Sequence, residues 1–189
     1  MVVGIDFGSK LAGTTVMAWF DGERVQLRQT VKGEDADALL EQWVAEKQFR
    51  QIFIDAPLSL PRVYGGEGND YFYRAGDREL GAMSPLFLGG LTARAMRLAA
   101  GWRRTGVEVY EAYPAALWKE IGDKKLAYKK DLAALPNCLG LLQPHWEVQL
   151  PGLANWHQFD ALLALTTGLR YGAGKSKNYG DPREGSIHV

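Results

Sequence analysis

A single cysteine, Cys138, stands among 189 residues, so no internal disulfide can form, which suits a reducing cytoplasm. No apolar run approaches the roughly 20 residues that a membrane-spanning helix needs. Met1 leads directly into a strand-like segment with no basic region before it, so neither a membrane nor an export signal is expected and the expected location is cytoplasmic. Net charge is absent too: 22 Lys and Arg balance 22 Asp and Glu, which argues against an extended nucleic-acid binder held by charge alone. Internal repeats and low-complexity segments are missing. What is present, 47% hydrophobic and 11% aromatic residues, is the composition of an ordinary folded protein. The length fits one domain over residues 1–189, carrying an insertion, rather than two.

The charge is unevenly spread. Between residues 90 and 130 the bases Arg94, Arg97, Arg103, Arg104, Lys119, Lys124, Lys125, Lys129 and Lys130 face only Glu108, Glu111, Glu120 and Asp123, a local excess of +5. Such a stretch either lines a phosphate-binding groove or forms a solvated helical face.

Alternation and turn residues predict strands over 2–6, 13–20 and 24–31, a three-stranded antiparallel meander. Leu39, Leu40, Trp43 and Val44 recur at helical spacing within 35–47, and QIFIDAPLSLP then reads as a buried strand after a crossover helix. Residues 62–90 are rich in glycine and aromatics with little periodicity. They read as an insertion after the fourth strand, with one short helix near Tyr71 to Leu80 and glycines that make it a mobile flap. A basic amphipathic helix over 91–105, a strand in VEVYEAYP, short helices over 114–122 and 126–135, and a final helix in NWHQFDALLALTTGLRYG complete the pattern. The polar tail, about 173–189, is either a surface strand or loose. The expected fold is α/β: a mixed five-stranded sheet, three strands antiparallel and then parallel ones, flanked by helices.

Asp6 ends the first strand, Asp55 ends the fourth, and Asp160 lies early in the last helix. If the fourth strand pairs with the first, the three carboxylates converge. They cannot all stay ionised together without positive charge. A hard divalent cation, Mg²⁺ or Mn²⁺, supplies it, and the chemistry such a centre serves is phosphoryl transfer. Glu111, at a strand end, is a candidate fourth ligand or else a surface acid.

The segments GIDFGSKLAGT, IDAPLSLP, YRAGDRELGAMSPLF, EVYEAYP, HQFDALLAL and GDPREGSI together resemble the domain-of-unknown-function 429 family, uncharacterised predicted nucleases assigned an RNase H-like fold. The resemblance covers nearly the whole chain. The first strand and last helix are also similar to the Holliday-junction resolvase branch of that superfamily. It implies a metal-dependent nuclease acting on DNA or RNA, with Asp6, Asp55 and Asp160 as metal ligands. Where the resolvase helix often carries a second acid three residues from the first, this chain has His157 before and Leu163 after Asp160, which leaves the fourth ligand between His157 and Glu111.

The family pattern also singles out Arg74, Asp77 and Arg78: the arginines either clamp a scissile phosphate bidentately or form an internal ion pair with Asp77. His157 either shuttles protons or binds metal, or it caps and packs. Ser9, Lys10, Thr14 and Thr15 either contact phosphate or simply make a turn. Two other functions stand beside the nuclease: a phosphotransferase like the actin and sugar kinases, whose first phosphate-binding hairpin DFGSKLAGTT resembles, and a catalytically silent nucleic-acid-binding protein. The sequence leaves the oligomeric state open, a homodimer included.

Overall fold

The computed structural model describes residues 1–189. The chain opens with β1 (Val2–Asp6), β2 (Val16–Phe20) and β3 (Val25–Gln29), paired antiparallel in succession. Helix α1 (Ala36–Lys47) begins at Asp35, whose side chain accepts hydrogen bonds from the Asp37 and Ala38 amides, as a cap of that type should. It ends at Gln48, which turns the chain in the left-handed conformation. The crossover delivers β4 (Gln51–Asp55) parallel to β1, in the register Asp6 to Asp55.

Short helices α2 (Ala75–Leu80) and α3 (Pro85–Leu88) interrupt the insertion, and α4 (Gly90–Arg104) leads into β5 (Glu108–Ala112), parallel to β4. Helices α5 (Pro114–Ile121), α6 (Leu135–Leu142) and α7 (Trp156–Gly172) follow. The tail adds β6 (Asn178–Tyr179) and β7 (Ile187–His188), which complete a mixed sheet in the order β3-β2-β1-β4-β5-β7-β6. No helix is long and apolar enough to cross a membrane.

Because successive side chains leave a strand on opposite faces, each strand divides its residues between two cores. Val3, Ile5, Ile52, Ile54 and Val109 pack with Leu40 and Trp43 of α1 and Ala95, Leu98 and Trp102 of α4. On the other face Phe53 and Ala112 meet Ala164 of α7, while α5, α6 and α7 share a second core around Leu117, Cys138, Phe159 and Leu162. Helix α7 lies directly on β1: a Cβ built on Gly4 would fall 2.1 Å from the Leu165 nitrogen and 2.3 Å from the Ala161 oxygen.

Three expectations need correction. The sheet has seven strands, not five, because the polar tail folds back: β7 pairs parallel with β5, and Ile187, His188 and Val189 are buried. Residues 126–135 are not a helix. They run through turns into a short 3₁₀ segment at Leu132–Ala134, and the α-helix begins only at Leu135. The insertion, expected as a loose flap, is anchored at its middle. Arg74 is buried and donates to both oxygens of Asp77 (3.0 and 2.7 Å), both oxygens of Glu111 (2.7 and 2.6 Å) and the Ser59 hydroxyl (2.8 Å). At the tip a Cβ on Gly65, Gly66 or Gly68 would meet nothing within 4 Å.

Two consequences are measurable. Gly4→Ala presses a methyl against the backbone of α7, which cannot rotate away as a side chain could, so the variant should lose at least about 2 kcal/mol of stability in urea unfolding. An unchanged midpoint would show that α7 does not need this approach. Arg74→Met strands two buried carboxylates, Asp77 and Glu111, and should cost roughly 3–5 kcal/mol. A loss under about 1 kcal/mol, in the range of an exposed ion pair, would mean that the insertion is held elsewhere.

Candidate metal centre

Strand parity decides which acids can meet. Residues 2, 4 and 6 of β1 and residues 51, 53 and 55 of β4 leave the sheet on the α7 face, opposite the core of α1 and α4. Asp6 and Asp55 therefore point the same way at the carboxyl ends of adjacent parallel strands. Asp160, in the second turn of α7, faces them from the helix that rests on Gly4. Carboxylate oxygens from all three lie within 4.8 Å of one another.

Their partners are unequal. Asp160 has one donor on each oxygen: Oδ1 accepts from the Tyr128 hydroxyl and Oδ2 from the Lys129 ammonium, each at 2.5 Å, which leaves a lone pair on each. Asp6 Oδ2 lies 2.8 Å from His157 Nδ1. Asp55 accepts no hydrogen bond, and its carboxyl is pushed well above the usual range by burial first and then by the Asp6 and Asp160 charges. Burial likewise lifts Asp160, to about 6, against the pull of Lys129. The Asp6 hydrogen bond raises the His157 imidazolium. Partial burial lowers Lys129, but the Asp160, Asp55 and Asp6 charges outweigh it and raise the ammonium above its usual value. Burial and the Asp160 charge keep Tyr128 protonated, so its hydroxyl is the donor.

Three carboxylates thus share one ammonium and one imidazole. An all-oxygen donor set with one member wholly unpaired is the kind that a hard divalent cation completes, so the residues fit the expected metal. Asp6, Asp55 and Asp160 would hold it, and the unpaired Asp55 is the member that needs it most.

The remaining candidates do not join this cluster. Glu111 pairs in register with Ile54, one residue short of Asp55, and so leaves the sheet on the opposite face. There both its oxygens are taken by Arg74 and one also by the Leu58 amide at 2.9 Å. That geometry turns Glu111 to Arg74 and away from the other three carboxylates. Arg74 and Asp77 form the internal ion pair rather than a phosphate clamp, and the two carboxylates keep the guanidinium charged despite its burial. Arg78 is exposed, pairs with Asp70 and lies over the Tyr73 ring. Lys10 pairs with Asp35 at 2.9 Å, and the Thr15 hydroxyl accepts from the Gly8 amide at 3.1 Å, so the first hairpin turn largely satisfies itself; Ser9 is exposed and Thr14 packs on Gly8. Only His157 reaches the cluster, through Asp6.

Tyr128 escaped the sequence reading, and Lys129 entered it only as one base of the 90–130 stretch, because a helix was expected there. Lys129 instead adopts φ of 60°, a left-handed conformation uncommon for a residue other than glycine. That turn brings two consecutive side chains onto the two oxygens of one carboxylate. The available signal was the pair Tyr-Lys in a lysine-rich stretch with no apolar period.

The chain matches no protein-family model and no curated protein, so the site is read from its own geometry.

Proposed function

We propose that the protein is a metal-dependent nuclease that hydrolyses phosphodiester bonds of nucleic acid at Asp6, Asp55 and Asp160. The observation that carries this reading is the convergence of three carboxylates from three separate elements, one of them without any donor. A sheet with strands ordered 3-2-1-4-5, the first three antiparallel and the next two parallel to the first, agrees with an RNase H-like fold, which we assign on the same footing. Lys124, Lys125 and Lys130 are exposed, make no ion pair, and flank Lys129, which favours a polyanion as substrate.

Mg²⁺ or Mn²⁺ bound here would orient the attacking water and stabilise the departing oxygen. The chain's own groups do the rest. Asp55 and Asp6 fix the ligand oxygens at rigid strand ends. Tyr128 and Lys129 hold the Asp160 carboxylate in one orientation. His157, with Nδ1 on Asp6, leaves Nε2 to accept a proton at the open side of the site. Lys129, whose side chain is 45% exposed, is placed to meet a phosphate oxygen.

The metal-free protein should lose stability as pH rises. Asp55 and Asp160 have native carboxyls above their unfolded values, so their contribution is present below about pH 4 and is lost as pH rises through the native values, about 6 for Asp160. His157, raised above 6.5, adds stability below that value and loses it above, in the same sense. Burial of His188 acts in the opposite sense but is common to parent and variant. In EDTA the melting temperature of the parent should therefore fall between pH 5 and 8 more steeply than that of Asp55→Asn. Parallel curves would remove the carboxylate repulsion on which the site is argued.

At pH 7.5 Mn²⁺ should raise the parent's melting temperature, since only the folded state gathers the three ligands. Asp55→Asn should keep or increase metal-free stability and lose most of the Mn²⁺ shift. Its Mn²⁺-dependent cleavage of labelled nucleic acid should fall by at least about a hundredfold. A variant that melts well below the parent, or cleaves at the parental rate, refutes Asp55 as a ligand.

A further inference from the structure

A cavity of about 330 Å³ opens between the end of β4 and the insertion. Asp55 and Lys129 form its polar end, so it is continuous with the carboxylate cluster, and Tyr113 stands beside them. Asp77 and Glu111, both paired with Arg74, also line it, and the rest is apolar, with Met83 and Leu88 contributed by the insertion. This volume lies at the small end of the roughly 300–1,000 Å³ typical of ligand pockets. It admits one flat ring and its sugar, while a stacked base pair is too wide to enter.

The insertion that supplies Met83 and Leu88 carries the second observation. Phe87, next to Leu88, is 63% exposed, and Phe72 is 51% exposed. Their rings lie 5.6 Å apart, and the Tyr73 ring is 6.0 Å from that of Phe87. The Arg78 guanidinium sits 4.7 Å above Tyr73. Flat rings left in water beside a cation are the elements with which proteins hold unpaired bases, by stacking and cation–π attraction. The pattern does not suit a continuous duplex, whose base faces are already stacked.

We propose that this cavity is a subsite for one unpaired nucleobase next to the bond that is cut, so that the substrate class is nucleic acid with at least one unpaired nucleotide. This rests on the carboxylates being a phosphodiester-cleaving centre. The base lies against Met83 and Leu88, its phosphate reaches Lys129 and the cluster, and the neighbouring base stacks on Phe87. Pulling a base into a pocket of this kind is least costly where the nucleotide is already unpaired.

The test is equilibrium binding of the full chain in Ca²⁺, a hard cation of the same oxygen preference, followed by fluorescence anisotropy. The probes are a labelled single strand of about 12 nucleotides, its perfect duplex, the duplex with one bulged nucleotide, and a nucleoside monophosphate as competitor, each as DNA and RNA. The single strand and the bulged duplex should bind at least tenfold more tightly than the perfect duplex. Phe87→Ala, at an exposed ring whose loss should leave melting unchanged, should weaken single-strand binding roughly tenfold. Ala115→Phe, which fills the cavity from α5, should do the same. Equal affinity for the perfect duplex, or parental affinity in Phe87→Ala, overturns the subsite. A monophosphate that binds as tightly as the strand makes the ligand a free nucleotide and overturns the strand assignment. Binding is read without cleavage, so the two readings separate. Tight single-strand binding with no Mn²⁺-dependent cleavage keeps the subsite and refutes the nuclease, whereas cleavage of duplex and single strand at equal rates does the reverse.

Discussion

Everything at the site depends on how closely α7 lies on the sheet. Ordinary helix-on-sheet packing leaves room for side chains between the layers, and Gly4 removes that room at one point, where the backbone of α7 touches β1. Gly168 does the same further along, where a Cβ would meet Phe53 and Val2 at 2.7 Å. Two contact points fix a line, so the tilt and height of the helix are set. Asp160, beside the first contact, is thereby held at the strand ends where Asp6 and Asp55 emerge. A helix one layer higher would leave a short aspartate side chain unable to reach either.

The molecule buries acids in two places and treats them differently. Around Arg74 the hydrogen bonding is closed: one guanidinium donates to both oxygens of Asp77 and of Glu111, with Ser59 and Leu58 completing the shell. That is how a buried ionic group is made tolerable when it only has to hold structure together. At the strand ends the shell is open. Asp55, half-buried, has no side-chain or backbone donor, and desolvation and neighbouring charge both oppose its ionisation. A fold that satisfies every carboxylate oxygen of one network and leaves a carboxylate of the other without a donor has kept a site that an added cation would complete. This contrast adds to the convergence of the three aspartates in supporting the functional reading.

The strands and helices that build the site were legible because each is long enough to show its period. Hydrophobic alternation found β1 and β4, and Asn155 caps α7 where the helical pattern starts. Convergence of the three aspartates followed from topology alone. Glu111 was misjudged although the information was present: counting parity from Val109, which packs with α1 and α4, puts Glu111 on that same face. Strands β6 and β7 were illegible because two residues show no period, and their stability comes from pairing with β5 and from burial of Ile187 and Val189. The partner of Glu111 was equally hidden, since Arg74 lies 37 residues away in sequence in a segment with no regular pattern.

The excess of positive charge between residues 90 and 130 also means something different once folded. Arg94 and Arg97 turn toward α1 and pair with Asp37 and Glu41, and Arg103 donates to the Val109 carbonyl at 2.6 Å. Those arginines tie α4 to its neighbours and have little charge left for a ligand. The lysines of the irregular segment before α6 are the ones left over, and Lys129 joins them to the carboxylates. A neutral chain can therefore present a cationic approach to its site. At a screening length near 8 Å in physiological salt, a phosphate arriving beside Lys129 responds chiefly to the nearby charges and the site, not to the net charge of zero.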